Sequence, residues 1–139
     1  MNRTEKLLWN RVKDILPGVV ARVENGATPG YPDVHGIYNG RDYWVELKVV
    51  GSKFREHIPN EFLLKLFQES QVVWALKRIK YAEYKRLFLL VGFKDFMAFY
   101  NVEITNGLWI YDIKMAVEVP LMELDKVYMI GRFTEVLHG

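Results

Sequence analysis

Cysteine is absent from the 139-residue chain. That excludes a disulfide framework and any thiolate metal site. Long hydrophobic runs are missing too. No window approaches the length that spans a bilayer, and the N-terminus shows no signal-peptide pattern. Internal repeats, low-complexity stretches and linkers are all lacking. No zinc-finger, basic-zipper or helix-turn-helix pattern is evident. What is plentiful is apolar: half of the residues are hydrophobic and 14% are aromatic. Such a composition excludes disorder, and the length suits one domain with one core. The expectation is a single soluble intracellular domain.

Neither sign of charge dominates overall, with a formal net charge of +2. It is unevenly spread. From Gly51 to Lys94 nine Lys/Arg face four Asp/Glu, whereas from Asp95 onward three Lys/Arg face seven Asp/Glu. In the basic part Lys53, Arg55, Lys65, Lys77, Arg78, Lys80, Lys85 and Arg86 could line a polyanion surface. The same cations read equally well as a solvated helix face.

Periodicity places the elements. Thr4 to Leu16 reads as a helix capped by Thr4, with Leu8, Val12, Ile15 and Leu16 as its apolar stripe and Pro17-Gly18 as its end. Val19 to Val23 reads as a strand, and residues 24–32 as a Gly/Pro/Asn-rich loop. Two short strands follow, joined by Asn39-Gly40, the strongest short hairpin signal. Gly51 to Glu61 reads as a polar loop. A second helix is expected from Leu64 or Gln68 to Tyr81, carrying Val72, Ala75, Leu76 and Ile79 at helical spacing. Arg86 to Phe93 is a continuous apolar run suited to a buried strand, and Phe96 to Val102 is the next strand. Beyond Glu103 the pattern weakens: Leu108 to Ile113 reads as a strand, Val119 to Leu124 as a connection, and Val127 to Phe133 as a last strand or packing segment. The order predicts an α/β fold with a central mixed β-sheet flanked by helices, α-β-β-β-α-β-β.

The chemistry concentrates in the hairpin. From Tyr43 to Val49 the residues alternate, so Tyr43, Val45, Leu47 and Val49 take one face while Trp44, Glu46 and Lys48 take the other. A Glu and a Lys on so apolar a strand are costly unless they meet a partner or a metal. Asp33 opens the preceding strand. Folding the hairpin brings two carboxylates and one amine together, the set that a divalent ion and a hydrolytic water require.

Pro32-Asp33, then Glu46-Leu47-Lys48, resembles the signature of the PD-(D/E)xK nuclease superfamily. Within it the chain looks most like small VRR-NUC-type and Holliday-junction-resolvase-like nucleases of phages and bacteria. Arg22-Val23-Glu24-Asn25-Gly26, Gly30-Tyr31-Pro32-Asp33-Val34 and Trp44-Val45-Glu46-Leu47-Lys48 follow the family's order of blocks. Gln71-Val72-Val73-Trp74 is similar to its Gln-bearing helix. Glu5 sits where many members place an acid in the first helix. The resemblance covers residues 4–102, leaving 103–139 as an extension without a matching motif.

The resemblance implies a restriction-endonuclease-like core and a Mg²⁺-dependent endonuclease acting on DNA, branched or structured DNA such as Holliday junctions. Mn²⁺ would substitute. It implies Asp33, Glu46 and the Leu47 carbonyl as metal ligands, Glu5 as a further acid, and Lys48 and Gln71 as catalytic groups. Its members of this kind are phage-encoded or bacterial and cytoplasmic, with no membrane association. Arg22, Asn25, Lys53, Arg55, Lys77 and Arg78 are the candidate nucleic-acid contacts. A homodimer would bring two sites to one junction, with Leu108, Trp109, Ile110, Tyr111, Val127, Tyr128, Met129 and Ile130 as its surface.

Each residue has a plainer reading. Glu46 and Lys48 could form a cross-strand surface pair. Glu5 could simply favour the helix dipole, and Gln71 could be a helix-surface amide. His35 shares the Asp33 face, yet a lone His on a strand is more often structural. His57 and Arg55 fall in the polar loop, to touch nucleic acid or nothing. Trp9, Trp44, Trp74 and Trp109 read as core rather than as base-stacking platforms. A nucleic-acid-binding module without catalysis, or an assembly protein, are the competing functions.

Overall fold

The structure is a computed structural model, and it describes residues 3–23, 30–55, 58–81, 86–104 and 111–120. Its elements are α1 (Arg3–Val12), β1 (Val19–Arg22), β2 (Val34–Tyr38), β3 (Arg41–Val49), α2 (Asn60–Leu64), α3 (Glu69–Tyr81), β4 (Leu87–Gly92), β5 (Phe96–Ile104) and β6 (Tyr111–Pro120). The strands form one six-stranded sheet in chain order. Only β3 and β4 run parallel; every other neighbouring pair is antiparallel. A parallel step needs a crossover, and α2 and α3 supply it. The mixed sheet flanked by helices is the expected α/β arrangement.

The hairpin forms as its turn residues dictate. Asn39 and Gly40 both adopt positive φ, 55° and 76°, which is what a two-residue type I′ turn demands. Val34 then faces Val45 and His35 faces Trp44. Facing pairs share a side of the sheet, so the alternation of β3 divides the molecule into two layers. On one side Leu8, Val12, Ile15 and Leu16 pack against Val34, Tyr43, Val45, Leu47, Phe88 and Leu90. On the other, Leu63, Phe67 and Ala75 pack against Leu87, Leu89 and Val91. Strand β4 is buried along its whole length, as its unbroken apolar run predicts.

Three boundaries differ from expectation. Helix α1 starts at Arg3, which puts Thr4 inside its first turn rather than at the cap, and it ends at Val12 instead of Leu16. Pro17 disfavours a helical residue before it, so the chain tightens into a turn in which the N–H groups of Ile15 and Leu16 both donate to the Val12 carbonyl at 3.0 Å. Both side chains stay buried. Gly18 follows at φ 75°, where an added Cβ would sit 2.0 Å from the Ile37 carbonyl oxygen. The expected second helix forms as α3 after Gln68, one of its two expected starts, and a further short helix, α2, precedes it after Pro59. The last described strand runs from Tyr111 to Pro120, so Tyr111 to Ile113 begin it, and Val119, expected in a connection, is inside it. Residues 105–110 and 121–139, including most of the expected dimer surface, lie outside the described residues. Among the described residues no helix is long and apolar enough to cross a membrane.

Candidate active site

Asp33 stands one residue before β2. The register carried on from Val34 and Val45 sets it opposite Glu46, on the face that also holds His35, Trp44 and Lys48. Its Oδ2 accepts the Leu47 N–H at 2.8 Å. A side chain thus takes over the ladder where the strand stops. Odd residues of β3 direct their backbone groups toward β2, since Trp44 and Val50 donate on the β4 side, to Arg86 and Gly92. The Leu47 carbonyl therefore also points toward β2. The residue due opposite it is Pro32, which has no N–H to give. The Pro-Asp pair aims one carboxylate and one carbonyl at the same place.

Glu46 is the one buried charged-type residue among those described, at 2% exposure. Lys48 Nζ stands 3.9 Å from its Oε1, close enough to attract but too long for a hydrogen bond. Burial pushes the Glu46 carboxyl well above the usual carboxylate range. A hydrogen bond with Asp33, the Asp33 charge and the Glu5 charge add to the rise, and Lys48 opposes it. Without a cation, ionisation of the buried Glu46 is opposed because two adjacent carboxylates resist being charged together.

Other expected residues fall around this centre. Glu5 is in the first turn of α1, half-buried, and reaches the site through its charge. Asp33, Glu46 and Glu5 do not make a three-carboxylate ligand cluster, and no group of three His, Cys, Asp or Glu with that capacity occurs among the described residues. Gln71 Oε1 accepts the Gln68 N–H at 2.9 Å, the return arm of a capping box at the start of α3. Arg22 faces Val34, which puts it at the strand end beside the site but on the α1 side. Lys53 and Arg55 are exposed on either side of Phe54. Phe54 is pinned: its N–H donates to Asp95 Oδ1 at 2.8 Å, and its ring stacks on Phe96 with centroids 5.0 Å apart. The two cations therefore stand on an anchored loop that follows β3. Lys77 is exposed on α3. Asn25, His57 and the Arg78 side chain lie outside the described residues.

His35 shares the site's face, as expected. Its Nε2 pairs with Asp42 Oδ2 at 3.0 Å, and its ring stacks on Trp44 at 4.2 Å. Trp44 in turn meets Trp74 at 5.1 Å and Tyr31 at 6.1 Å. Trp44 and Trp74 are expected in the core. They do pack against the α3-side cluster, but both are only half-buried. The available signal was position: Tyr31 is two residues before Asp33, and Trp44 two before Glu46.

The donor set suits a hard divalent cation. It offers two carboxylates and a backbone carbonyl, the hard oxygen donors that Mg²⁺ takes alongside water. Burial and the Asp33 charge both oppose ionisation of Glu46, so positive charge would be favoured there. No protein-family model matches the chain, and no curated protein matches it.

Proposed function

We propose that the protein is a Mg²⁺-dependent endonuclease that hydrolyses phosphodiester bonds in branched or structured DNA, on a restriction-endonuclease-like core of the PD-(D/E)xK kind. The observation that carries this reading is the meeting of Asp33, the buried Glu46 and Lys48 on one face of the hairpin. Asp33, Glu46 and the Leu47 carbonyl would hold the ion, with Mn²⁺ as a substitute and Glu5 adding negative charge behind them. A bound ion would neutralise charge on the phosphate and acidify a water.

The chain's own groups do the rest. Asp33 and Glu46 present two carboxylates to the ion. Lys48 orients the attacking water or the phosphate and stabilises the charge that grows in the transition state. Lys53 and Arg55 meet flanking phosphates, and their contacts carry no sequence information. Two such sites in a homodimer would cut both strands of a junction. Light scattering tests that part: a protein mass near 16.4 kDa, both alone and after the mass of bound junction DNA is subtracted, removes the dimer.

Supercoiled plasmid incubated with Mg²⁺, Mn²⁺ or EDTA tests the activity. Nicking with either metal and none with EDTA is expected. Retarded but uncut DNA would instead indicate a catalytically silent binding module, and the absence of both nicking and retardation would overturn the nucleic-acid reading.

A further inference from the structure

The α3-side face of the hairpin carries, beside its carboxylates, a set of rings that catalysis does not use. Tyr31, His35, Trp44 and Trp74 come from the loop before β2, from β2, from β3 and from α3. Their contacts are continuous: His35 on Trp44 at 4.2 Å, Trp44 against Trp74 at 5.1 Å and Tyr31 against Trp74 at 5.3 Å. None of the four is buried. The His35 side chain is 28% exposed and is held by Asp42, so the stack reaches solvent with its outer ring already oriented.

His35 on β2 and Trp44 on β3 lie along the strands that position the carboxylates, and Tyr31 lies in the loop that leads to Asp33. Tyr31 and His35 flank Asp33 at two residues on either side, and Trp44 precedes Glu46 by two. Along a strand that is about 7 Å, the scale of one nucleotide from phosphate to base. A phosphate at Asp33 and Glu46 therefore puts an adjoining base at the rings, provided the base is free to leave its partner.

We infer that Tyr31 and His35, backed by Trp44 and Trp74, form a stacking platform for one unpaired nucleobase next to the scissile phosphate. The platform selects DNA with unpaired nucleotides, such as branch points and single strands, over uniform duplex. Stacking is indifferent to base identity, because every base has a π-face. The inference rests on the proposed phosphodiester site and gives it a substrate class.

Binding in EDTA separates the two ideas, since no cleavage is needed. The probes are end-labelled single-stranded oligothymidylate, an abasic strand of the same length and a matched duplex. Wild-type protein should bind oligothymidylate roughly ten-fold more tightly than the abasic strand, and the duplex more weakly than oligothymidylate. Tyr31→Ala and His35→Ala should each bring oligothymidylate down toward the abasic value. Neither should change abasic binding, and Tyr31→Phe should restore wild-type affinity. Equal wild-type affinity for intact and abasic strands overturns the platform, and needs no variant to fold. So does a Tyr31→Ala protein that still distinguishes them fully. Failure of the nuclease reading shows elsewhere, as absence of metal-dependent plasmid nicking, whatever the abasic comparison gives.

Discussion

Leu47 and Glu46 are neighbours on β3 and almost equally hidden, at 0% and 2% exposure, yet they face opposite layers. On the α1 side, Tyr43, Val45 and Leu47 enter a wholly apolar cluster, where each buried side chain stabilises by about 1.5–3 kcal/mol. On the α3 side the same strand buries a carboxyl against another carboxylate, so that its own ionisation is opposed. Burying a group of that kind costs stability unless it is fully paired. A valine at position 46 would serve the fold better. The contrast teaches where to look for function: one face is explained by folding, and the other keeps an arrangement that folding alone would discard.

The strongest way to break the comparison is to disarm each face in turn. Glu46→Gln should lower metal-dependent cleavage by about 10³-fold or more, because several kcal/mol of charge stabilisation leaves with the ion site. Its urea midpoint should hold or rise. Leu47→Ala should lose about 2–5 kcal/mol of stability while keeping the carbonyl that faces Asp33. If Glu46→Gln were the more destabilised of the two and still cut DNA, the α3 side would be merely structural.

Lys48→Ala is the next largest change. The ammonium is near Glu46 but not hydrogen-bonded to it, so metal affinity measured by calorimetry should stay close to wild type. The cleavage rate should fall by about 10²-fold through loss of transition-state stabilisation. A wild-type rate would leave the Glu46–Lys48 pair with a structural role only.

Much of this was legible in the sequence because the hairpin is local. Asn39-Gly40 fixes the turn, the turn fixes the register, and the register sets Asp33 opposite Glu46. Strand β4 was legible from its apolar run alone. What escaped has physical causes. The end of α1 depends on how Pro17 restricts Leu16 while Ile15 and Leu16 stay buried, so the apolar stripe outlasts the helix. Helix α2 escaped because five residues after Pro59 are too few to show a helical period. Strand β6 pairs with β5 across a register shift at Phe99/Tyr100, and such an irregularity blurs a period of two. The ring cluster escaped because Trp74 meets Trp44 only through the crossover.

Titration sharpens the same comparison. In the metal-free fold Glu46 keeps its proton above the ordinary range, whereas in the unfolded chain it releases it near a pKa of about 4.3. Between those values the folded state binds the extra proton. Stability from this group is therefore fully present below the unfolded pKa and falls as pH rises toward the raised one, by at most about 1.4 kcal/mol per pH unit. Thermal melts of metal-free protein should show that slope, and Glu46→Gln should flatten it while Leu47→Ala leaves it. Identical slopes in wild type and Glu46→Gln would show that the buried carboxyl does not hold a proton.

The smallest expected effect belongs to Gln71, a residue expected at the site that the structure ties to its own helix. Its Oε1 is engaged with the Gln68 N–H, so Gln71→Ala removes one arm of a cap. That should cost about 0.5–1 kcal/mol in a urea titration, at the lower end of cap substitutions. Gln71→Glu keeps an acceptor at the same position and adds a charge that the N-terminus of α3 favours, so it should recover the stability. If capping is the whole role, both variants cut DNA at the wild-type rate once corrected for the folded fraction. If the Gln71 amide also reaches Lys48 or the phosphate, Gln71→Glu stays stable yet cuts more slowly, because it has lost the amide donor and set a carboxylate there instead. Stability and rate moving apart in that one variant would place Gln71 in the active site; moving together, they leave it with α3.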